Sequence, residues 1–194
     1  LETWLKENVI YDKTRGLTVN RKTNNPISAI VPMHTFGHPC LIEEIVKIAK
    51  LYSIPVIEDS AESLGSYYRG RHTGTFGLAG IFSFNGNKTI TTGGGGMIIT
   101  DDESFYQRVK HITTTAKIPH RWEFVHDEVG YNLRMPNVNA AVGVAQMENI
   151  ETYLINKRDT AQKYIQCFTE LGISHVSELK HSRANYWLNA IKLE

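Results

Sequence analysis

The segment Ile81–Gly96 constrains the fold more strongly than any other part of the sequence. Its apolar beginning, Ile81–Phe84, predicts a short strand, and five of its last eleven residues are glycines, four of them consecutive. Glycine tolerates backbone conformations and close approaches that a Cβ atom forbids. Lys88 is the only lysine or arginine between Gly74 and Gly96. It is either solvated at the surface, the simpler interpretation, or held for chemistry, since desolvation makes an amine nucleophilic.

The composition is that of an ordinary globular protein. Of 194 residues, 41% are hydrophobic and 21% charged, and the net charge is +1. Because there is no basic excess, we expect neither a nucleic-acid nor a membrane-surface partner. No apolar stretch approaches the roughly 18 residues of a membrane span. Cys40 and Cys167 lie outside any CxxC pattern, so we expect no disulfide, no zinc site and a cytoplasmic location.

The first half of the chain has the pattern of a βαβ unit. Ser28–Met33 predicts a buried strand, Leu41–Tyr52 has apolar residues at helical spacing, and Ile54–Ile57 predicts the next strand. Before this unit, Thr18–Ile27 alternates around a polar tip and predicts a hairpin.

The second half changes from strands to helices. Strands are predicted over Gly80–Phe84 and Gly96–Thr100, followed by a helix that Asp102 caps. Thr113–Tyr131 lacks periodicity and is interpreted as an ordered loop. From Pro136 the pattern predicts two consecutive helices that end near Gly172. The fold class is therefore α/β with a helical C-terminal extension.

Three polar residues follow strand ends, where ligands bind in open α/β sheets. Asp59 closes one predicted strand, and Ser83 and Lys88 follow another. Asp59 and Lys88 could form a structural ion pair. Alternatively, the three could serve pyridoxal phosphate, which needs a lysine amine for its aldehyde, a carboxylate for its ring nitrogen and donors for its phosphate. The spacing alone leaves both interpretations open.

Other sites have weaker support. The run Gly93–Gly96 is not a Walker loop, since no Lys-Ser/Thr follows, and a strand rather than a helix follows it, which excludes a dinucleotide fingerprint. Asn132 precedes a helix and by default would cap it. The histidines show no metal-ligand spacing and are interpreted as loop or surface residues. They are His34, His38, His72, His111, His120 and His126.

Four motifs, in the correct order along the chain, closely resemble the DegT/DnrJ/EryC1/StrS family of pyridoxal-phosphate-dependent aminotransferases, which act on nucleotide-linked keto-sugars. They are Ile57–Ser66 (IEDSAESLGS), Gly74–Gly77 (GTFG), Ser83–Lys88 (SFNGNK) with its glycine run, and Gly130–Asn137 (GYNLRMPN). The resemblance implies the type I, aspartate-aminotransferase-like fold, with a mixed, mostly parallel sheet, flanking helices and a homodimeric assembly.

The resemblance also implies a role for each site residue. Lys88 matches the lysine that forms the Schiff base with the cofactor and shuttles the proton. Asp59 matches the carboxylate paired with the pyridine nitrogen, and Ser83 a hydroxyl donor to the phosphate. Asn132 matches an asparagine that reaches the partner's cofactor phosphate across the dimer. Glu62 departs from the glutamine or histidine of many relatives near the cofactor ring.

The implied activity is transfer of an amino group from an amino acid, commonly glutamate, to a nucleotide-linked keto-sugar in surface-sugar biosynthesis. Lysine at position 88, where a deoxygenating branch has histidine, favours transamination over dehydration. Two alternatives stay open: a catalytically silent fragment that serves only as a dimerisation module, and other pyridoxal phosphate chemistry on the same fold. Family members are roughly twice this length, and both ends of the chain look cut. Residues 1–135 would belong to the cofactor-binding domain, and 136–194 would lead into an incomplete small domain.

Overall fold

The computed structural model describes residues 1–193, which fold into helices packed around short strands. The helices are α1 (Glu2–Asn8), α2 (Ile42–Leu51), α3 (Glu103–Thr113), α4 (Asn137–Glu148) and α5 (Ile150–Glu170). The strands are β1 (Val9–Asp12), β2 (Leu17–Asn20), β3 (Ile57–Asp59), β4 (Tyr67–Tyr68), β5 (Arg71–His72), β6 (Ala79–Ser83), β7 (Gly96–Ile99) and β8 (Ser182–Arg183).

The central sheet has the order β3-β6-β7 and is mixed. Strands β3 and β6 are parallel, with Asp59 opposite Ile81, whereas β6 and β7 are antiparallel, with Ser83 opposite Gly96. Because β3 and β6 run in the same direction, Asp59 and Ser83 end their strands at the same edge of the sheet. The α/β class with a mixed sheet is therefore confirmed, and the register places the predicted site residues together.

The predicted strand Ser28–Met33 is only partly formed. Ile30 and Met33 make isolated parallel bridges to the β3 side of the sheet, and Val31 and Met33 are exposed rather than buried. The predicted strand Ile54–Ile57 is shifted, since β3 begins only at Ile57. Pro55 explains part of the shift, because proline has no N–H to donate to a neighbouring strand. Only its carbonyl takes part, accepting from the Ile30 amide at 2.9 Å.

The predicted hairpin Thr18–Ile27 is formed, with an antiparallel bridge between Val19 and Pro26 and with the Ile27 amide donating to the Thr18 carbonyl at 2.8 Å. A second hairpin, formed by β1 and β2, was not predicted. In its turn the Asp12 carboxylate accepts from the Thr14 and Arg15 amides. The Asx turn at Asp12 is a local side-chain effect that apolar alternation does not show.

The predicted helix Leu41–Tyr52 is confirmed as α2. Its apolar face is buried at Ile42 and Ala49, which pack with Val56 and Tyr68 in one core cluster. This face fixes the helix against the strand that leads to Asp59.

A second, antiparallel sheet has the order β5-β4-β8. Tyr67 pairs with Arg183, and Tyr68 pairs with Ser182, so residues from the end of the chain return to the loop region after β3. This return brings the segment 184–188 to the carboxyl edge of the central sheet.

Asp102 caps α3 as predicted, and its Oδ1 accepts from the Phe105 amide at 2.7 Å. Asp102→Ala is expected to lower the free energy of unfolding by about 1 kcal/mol, because one terminal amide loses its acceptor. Asp101→Ala is the matched control, since Asp101 is also exposed but lies outside the helix. Equal urea midpoints for the two variants would contradict a capping role.

Helices α4 and α5 confirm the two predicted consecutive helices, with a break at Asn149. Leu171 is the C-cap of α5, and Gly172, with φ +68°, follows it. Asn132 does not cap α4, since the N-cap position is Pro136, which carries no side-chain acceptor. The default capping interpretation of Asn132 is therefore wrong. Among residues 1–193, no helix combines the length and apolar character needed to cross a membrane.

Candidate active site

Asp59 is held at the end of β3 by its own backbone. Its N–H donates to the Pro32 carbonyl at 2.9 Å, and its carbonyl accepts from the His34 amide at 3.1 Å. The Ala61 amide donates to Oδ1 at 3.1 Å, and Oδ2 accepts no hydrogen bond from the residues that the structure describes. One carboxylate oxygen is therefore oriented by the turn, and the other is available to a ligand.

Ser83 ends β6 and begins the loop that carries Lys88. The Asn85 amide donates to Ser83 Oγ at 3.3 Å, and the Lys88 amide donates to the Asn85 carbonyl at 3.1 Å. Because Ser83 Oγ accepts in this contact, its hydroxyl hydrogen can still be donated. The turn thus presents a hydroxyl donor and a lysine from one loop.

The glycine run after this loop has a steric cause. A Cβ atom on Gly96 would lie 2.4 Å from the carbonyl oxygen of Phe82, on the neighbouring strand. Gly93 and Gly95 have φ values of +77° and +97°, which side chains rarely adopt. Glycine is therefore required where the chain returns into β7 beside the Lys88 loop.

Lys88 is paired with Glu62 rather than with Asp59. Its Nζ lies 3.7 Å from Glu62 Oε1, and the two side chains are only 14% and 16% exposed. Among the described residues, no ion pair joins Lys88 to Asp59. Both the surface position and the structural Asp59–Lys88 pair are therefore wrong, and Lys88 is a largely covered amine at the carboxyl edge of the sheet.

Glu62 is oriented by a strained turn on the opposite side. The Phe36 amide donates to Glu62 Oε2 at 2.7 Å, so the two carboxylate oxygens face different partners. Phe36 has φ +57° and ψ +20°, a left-handed conformation that is uncommon for a bulky residue. The local strain indicates that surrounding contacts fix this turn.

One of those contacts is a fully buried pair, Glu58 and His34, both 0% exposed. His34 Nδ1 accepts from the Cys40 amide at 3.2 Å, so its Nε2 carries the hydrogen and donates to Glu58 Oε2 at 3.0 Å. His34 was expected in a loop or at the surface; it lies in a loop, but its complete burial excludes the surface position. A partner 24 residues away gives no local signal in the sequence.

Glu58 also anchors the loop after β5. Its carboxylate accepts from the amides of Gly74, Phe76 and Gly77 at 2.6–2.8 Å. Burial alone would raise the pKa of Glu58, but the hydrogen bonds from His34 and these amides outweigh it and hold the pKa below its ordinary value. The residue next to Asp59 is thus a structural anion that fixes two loops.

Two further residues at the site, Asn185 and Trp187, gave no signal in the sequence. Asn185 is 0% exposed, and its amide group donates to the carbonyls of Glu62 and Leu64 at 2.8 Å each. Trp187 lies with its ring under Lys88, whose Nζ is 4.1 Å from the ring centroid. Both come from the segment that follows β8, more than 90 residues beyond Lys88.

Asn132 is not brought together with the other predicted residues. It is exposed, bridges Thr114, and accepts from Arg134 Nε at 3.0 Å, with no hydrogen bond to Asp59 or Ser83 in the described chain. Its predicted contact across a dimer stays a prediction.

A surface cluster of His111, Asp127 and Glu128 has the donor types of a metal site. However, His111 Nε2 is bound to Asp127 Oδ1 at 2.7 Å, and Arg108 pairs with both oxygens of Glu128. Because the two carboxylates already have partners in His111 and Arg108, the cluster carries no metal assignment. His111 was expected in a loop or at the surface, but it lies within α3.

The mixed sheet with Asp59, Ser83 and Lys88 at one edge is the arrangement expected of a type I pyridoxal phosphate-dependent transferase. The chain belongs to the DegT/DnrJ/EryC1/StrS aminotransferase family, whose sequence profile matches residues 13–194. Family membership confirms the resemblance and the fold class, and the family it assigns is one of pyridoxal phosphate-dependent aminotransferases.

Individual relatives agree with this assignment. GDP-perosamine synthase of Escherichia coli O157:H7 is 43% identical over 173 residues, 89% of this chain and 47% of the relative. EpsN of Bacillus subtilis, described as a candidate pyridoxal phosphate-dependent aminotransferase, is 36% identical over 93% of this chain and 46% of its own length. Helicobacter pylori PseC, an aminotransferase of pseudoaminic acid biosynthesis, superposes with a TM-score of 0.82 at 26% identity, covering 89% of this chain and 47% of PseC. The chain spans about half the length of the curated relatives it matches.

The residues present fit this cofactor. The Lys88 amine suits the aldehyde, the open Oδ2 of Asp59 suits a protonated ring nitrogen, and the Ser83 hydroxyl hydrogen suits a phosphate oxygen. All three lie at the same sheet edge, so the donor set matches the cofactor's three functional groups.

Proposed function

We propose that this chain contributes the cofactor-binding half of an aminotransferase that moves an amino group from an amino acid, glutamate in the first instance, to a nucleotide-linked keto-sugar. The observation that carries the proposal is the position of Lys88, largely covered and paired with Glu62 at the edge where Asp59 and Ser83 end their strands. Two relatives support the substrate class: one is named GDP-perosamine synthase, and the other is an aminotransferase involved in the biosynthesis of pseudoaminic acid.

Each residue has a defined role in this proposal. Pyridoxal phosphate, when bound, would supply an electron sink for the electrons of the α-carbon–hydrogen bond. Asp59 Oδ2 would accept the ring N–H and keep the ring nitrogen protonated, and Ser83 Oγ would donate to the phosphate. Lys88 Nζ would hold the aldehyde carbon and, as a free neutral amine, would accept the α-proton. Glu62 Oε1, 3.7 Å from Lys88 Nζ in this chain, would stabilise the ammonium that Lys88 becomes when it carries that proton.

The domain division and the assembly belong to the same proposal. Residues 1–135 form part of the cofactor-binding domain, and 136–194 lead into a second domain. The protein works as a homodimer in which Asn132, exposed in the single chain, reaches the partner's cofactor phosphate. The two cysteine thiols, Cys40 and Cys167, are unpaired in the described chain, which is compatible with a reducing cytoplasm.

The proposal is tested by incubating the protein with pyridoxal phosphate, ¹⁵N-glutamate and a GDP-linked 4-keto-sugar. Mass spectrometry is expected to show one ¹⁵N amine in the sugar and an equal amount of 2-oxoglutarate. Lys163→Ala, which removes an exposed lysine, is the control for the loss of one positive charge in Lys88→Ala. Sugar deoxygenation without amine incorporation would contradict the proposal in favour of other chemistry, and no product despite bound cofactor would favour a silent module.

A further inference from the structure

The amine of Lys88 lies over an aromatic ring as well as beside a carboxylate. Its Nζ is 4.1 Å from the ring centroid of Trp187 and 3.7 Å from Glu62 Oε1. An ammonium above an indole face is attracted by the ring quadrupole, and tryptophan is the strongest partner among the aromatic residues. The amine is therefore held by two side chains from distant parts of the sequence.

The indole ring is fixed to the loop that carries this lysine. Trp187 Nε1–H donates to the carbonyl of Asn87, the residue before Lys88, at 2.7 Å. The Trp187 amide donates to Asn185 Oδ1 at 2.8 Å, and Lys157 Nζ donates to the Trp187 carbonyl at 3.4 Å. Contacts to the ring edge and to both backbone groups leave its face toward Lys88.

Asn185 is hydrogen-bonded to the backbones of both Trp187 and Glu62. While its Oδ1 accepts from Trp187, its Nδ2 donates to the carbonyls of Glu62 and Leu64. A Cβ atom on Gly37 would lie 1.7 Å from Asn185 Oδ1, so the Gly37 backbone packs directly against this side chain. One buried amide therefore sets the Trp187 and Glu62 backbones relative to each other.

We infer that Trp187 is a positioning residue whose indole face holds the Lys88 amine beside Glu62 at the carboxyl edge of the sheet. The inference rests on the proposed function, in which the Lys88 amine must stay close to the cofactor after it is displaced from the aldehyde carbon. A purely structural tryptophan would need only its hydrogen bond to Asn87. A positioning tryptophan also needs its ring face in contact with the Lys88 amine.

The first test measures acetylation of Lys88 in the cofactor-free protein by peptide mass spectrometry, with exposed Lys163 as the internal reference. Trp187→Ala is expected to raise the relative rate at Lys88 by about 2- to 30-fold, because the amine loses both its cover and the attraction of the ring. Trp187→Phe keeps a face but loses the indole N–H, and its rate is expected near that of the wild type. Trp122→Ala, a change at a 74% exposed tryptophan, is the matched control.

Equal rates in wild type and Trp187→Ala would overturn the inference. Equally raised rates in Trp187→Ala and Trp187→Phe would also overturn it, because the hydrogen bond to Asn87 would then account for the effect.

A second measurement does not depend on any change at Trp187. In a Trp4→Phe/Trp122→Phe background, Trp187 is the only tryptophan. Lys88→Met is expected to shift its fluorescence emission, because the charge above the ring is lost, whereas Lys163→Met leaves the emission unchanged. Unchanged emission in Lys88→Met would contradict the contact itself. Both tests use cofactor-free protein, so they can succeed where the transfer assay fails, and the reverse.

Discussion

Glu58→Ala is expected to lower the free energy of unfolding by at least about 3 kcal/mol, because each buried donor left without an acceptor costs about 1–3 kcal/mol. The substitution leaves the amides of Gly74, Phe76 and Gly77 and the Nε2–H of His34 without their acceptor. The side chains of Glu58 and His34 are both 0% exposed, so water does not replace that acceptor. Urea unfolding followed by circular dichroism measures the loss. Glu123→Ala, a change at a glutamate whose side chain is 68% exposed, is expected to stay within about 0.5 kcal/mol of the wild type.

The same carboxylate gives the protein a predictable acid sensitivity. Because the folded-state pKa of Glu58 lies below its ordinary value of 4.5, its contribution to stability is present above that pH and is lost as the pH falls through the folded-state pKa. Stability of the wild type is therefore expected to decline more steeply below pH 4.5 than that of Glu58→Ala. Parallel pH profiles for the two proteins would show that Glu58 is not ionised in the folded state.

Lys88→Ala is expected to reduce the rate of amino transfer by about 10²–10⁴-fold through loss of the proton-transfer group alone. Loss of the bond to the cofactor aldehyde adds to this reduction. Initial rates of labelled amine transfer from glutamate measure the effect under saturating cofactor.

Lys88→Arg separates the chemistry of the amine from its charge. The guanidinium keeps a cation beside Glu62 and Trp187, but it is not deprotonated in proteins and cannot act as the nucleophile. We expect the same loss of activity as in Lys88→Ala, with stability closer to that of the wild type. An active Lys88→Arg variant would assign the role of position 88 to electrostatics instead of covalent binding.

Asp59 and Ser83 lie at strand ends, as the sequence predicted. Asp59 and Ser83 could be located from the sequence because apolar runs stop there and parallel strands bring their carboxyl ends to one edge. Lys88 follows by five residues through a turn. The local sequence pattern and the sheet topology were sufficient to predict the positions of these three residues in the fold.

The remaining features depend on contacts between distant residues, which local patterns do not encode. Glu58 bonds to His34 across 24 residues, and Asn185 donates to Glu62 across 123. Trp187 occurs in a short segment with no strand periodicity, so nothing in the sequence placed it under Lys88. The predicted ion pair between Asp59 and Lys88 was wrong because the carboxylate of Glu62, three residues beyond Asp59, lies beside the amine instead.

Lys88 is the residue to which we expect pyridoxal phosphate to bind covalently. The most direct test is to mix the purified protein with pyridoxal phosphate, reduce it with borohydride, digest it and locate the added mass by peptide sequencing. We expect one stoichiometric pyridoxyl group on the peptide that contains Lys88, and none in Lys88→Ala. Labelling spread over exposed lysines such as Lys163, or retained in Lys88→Ala, would contradict it.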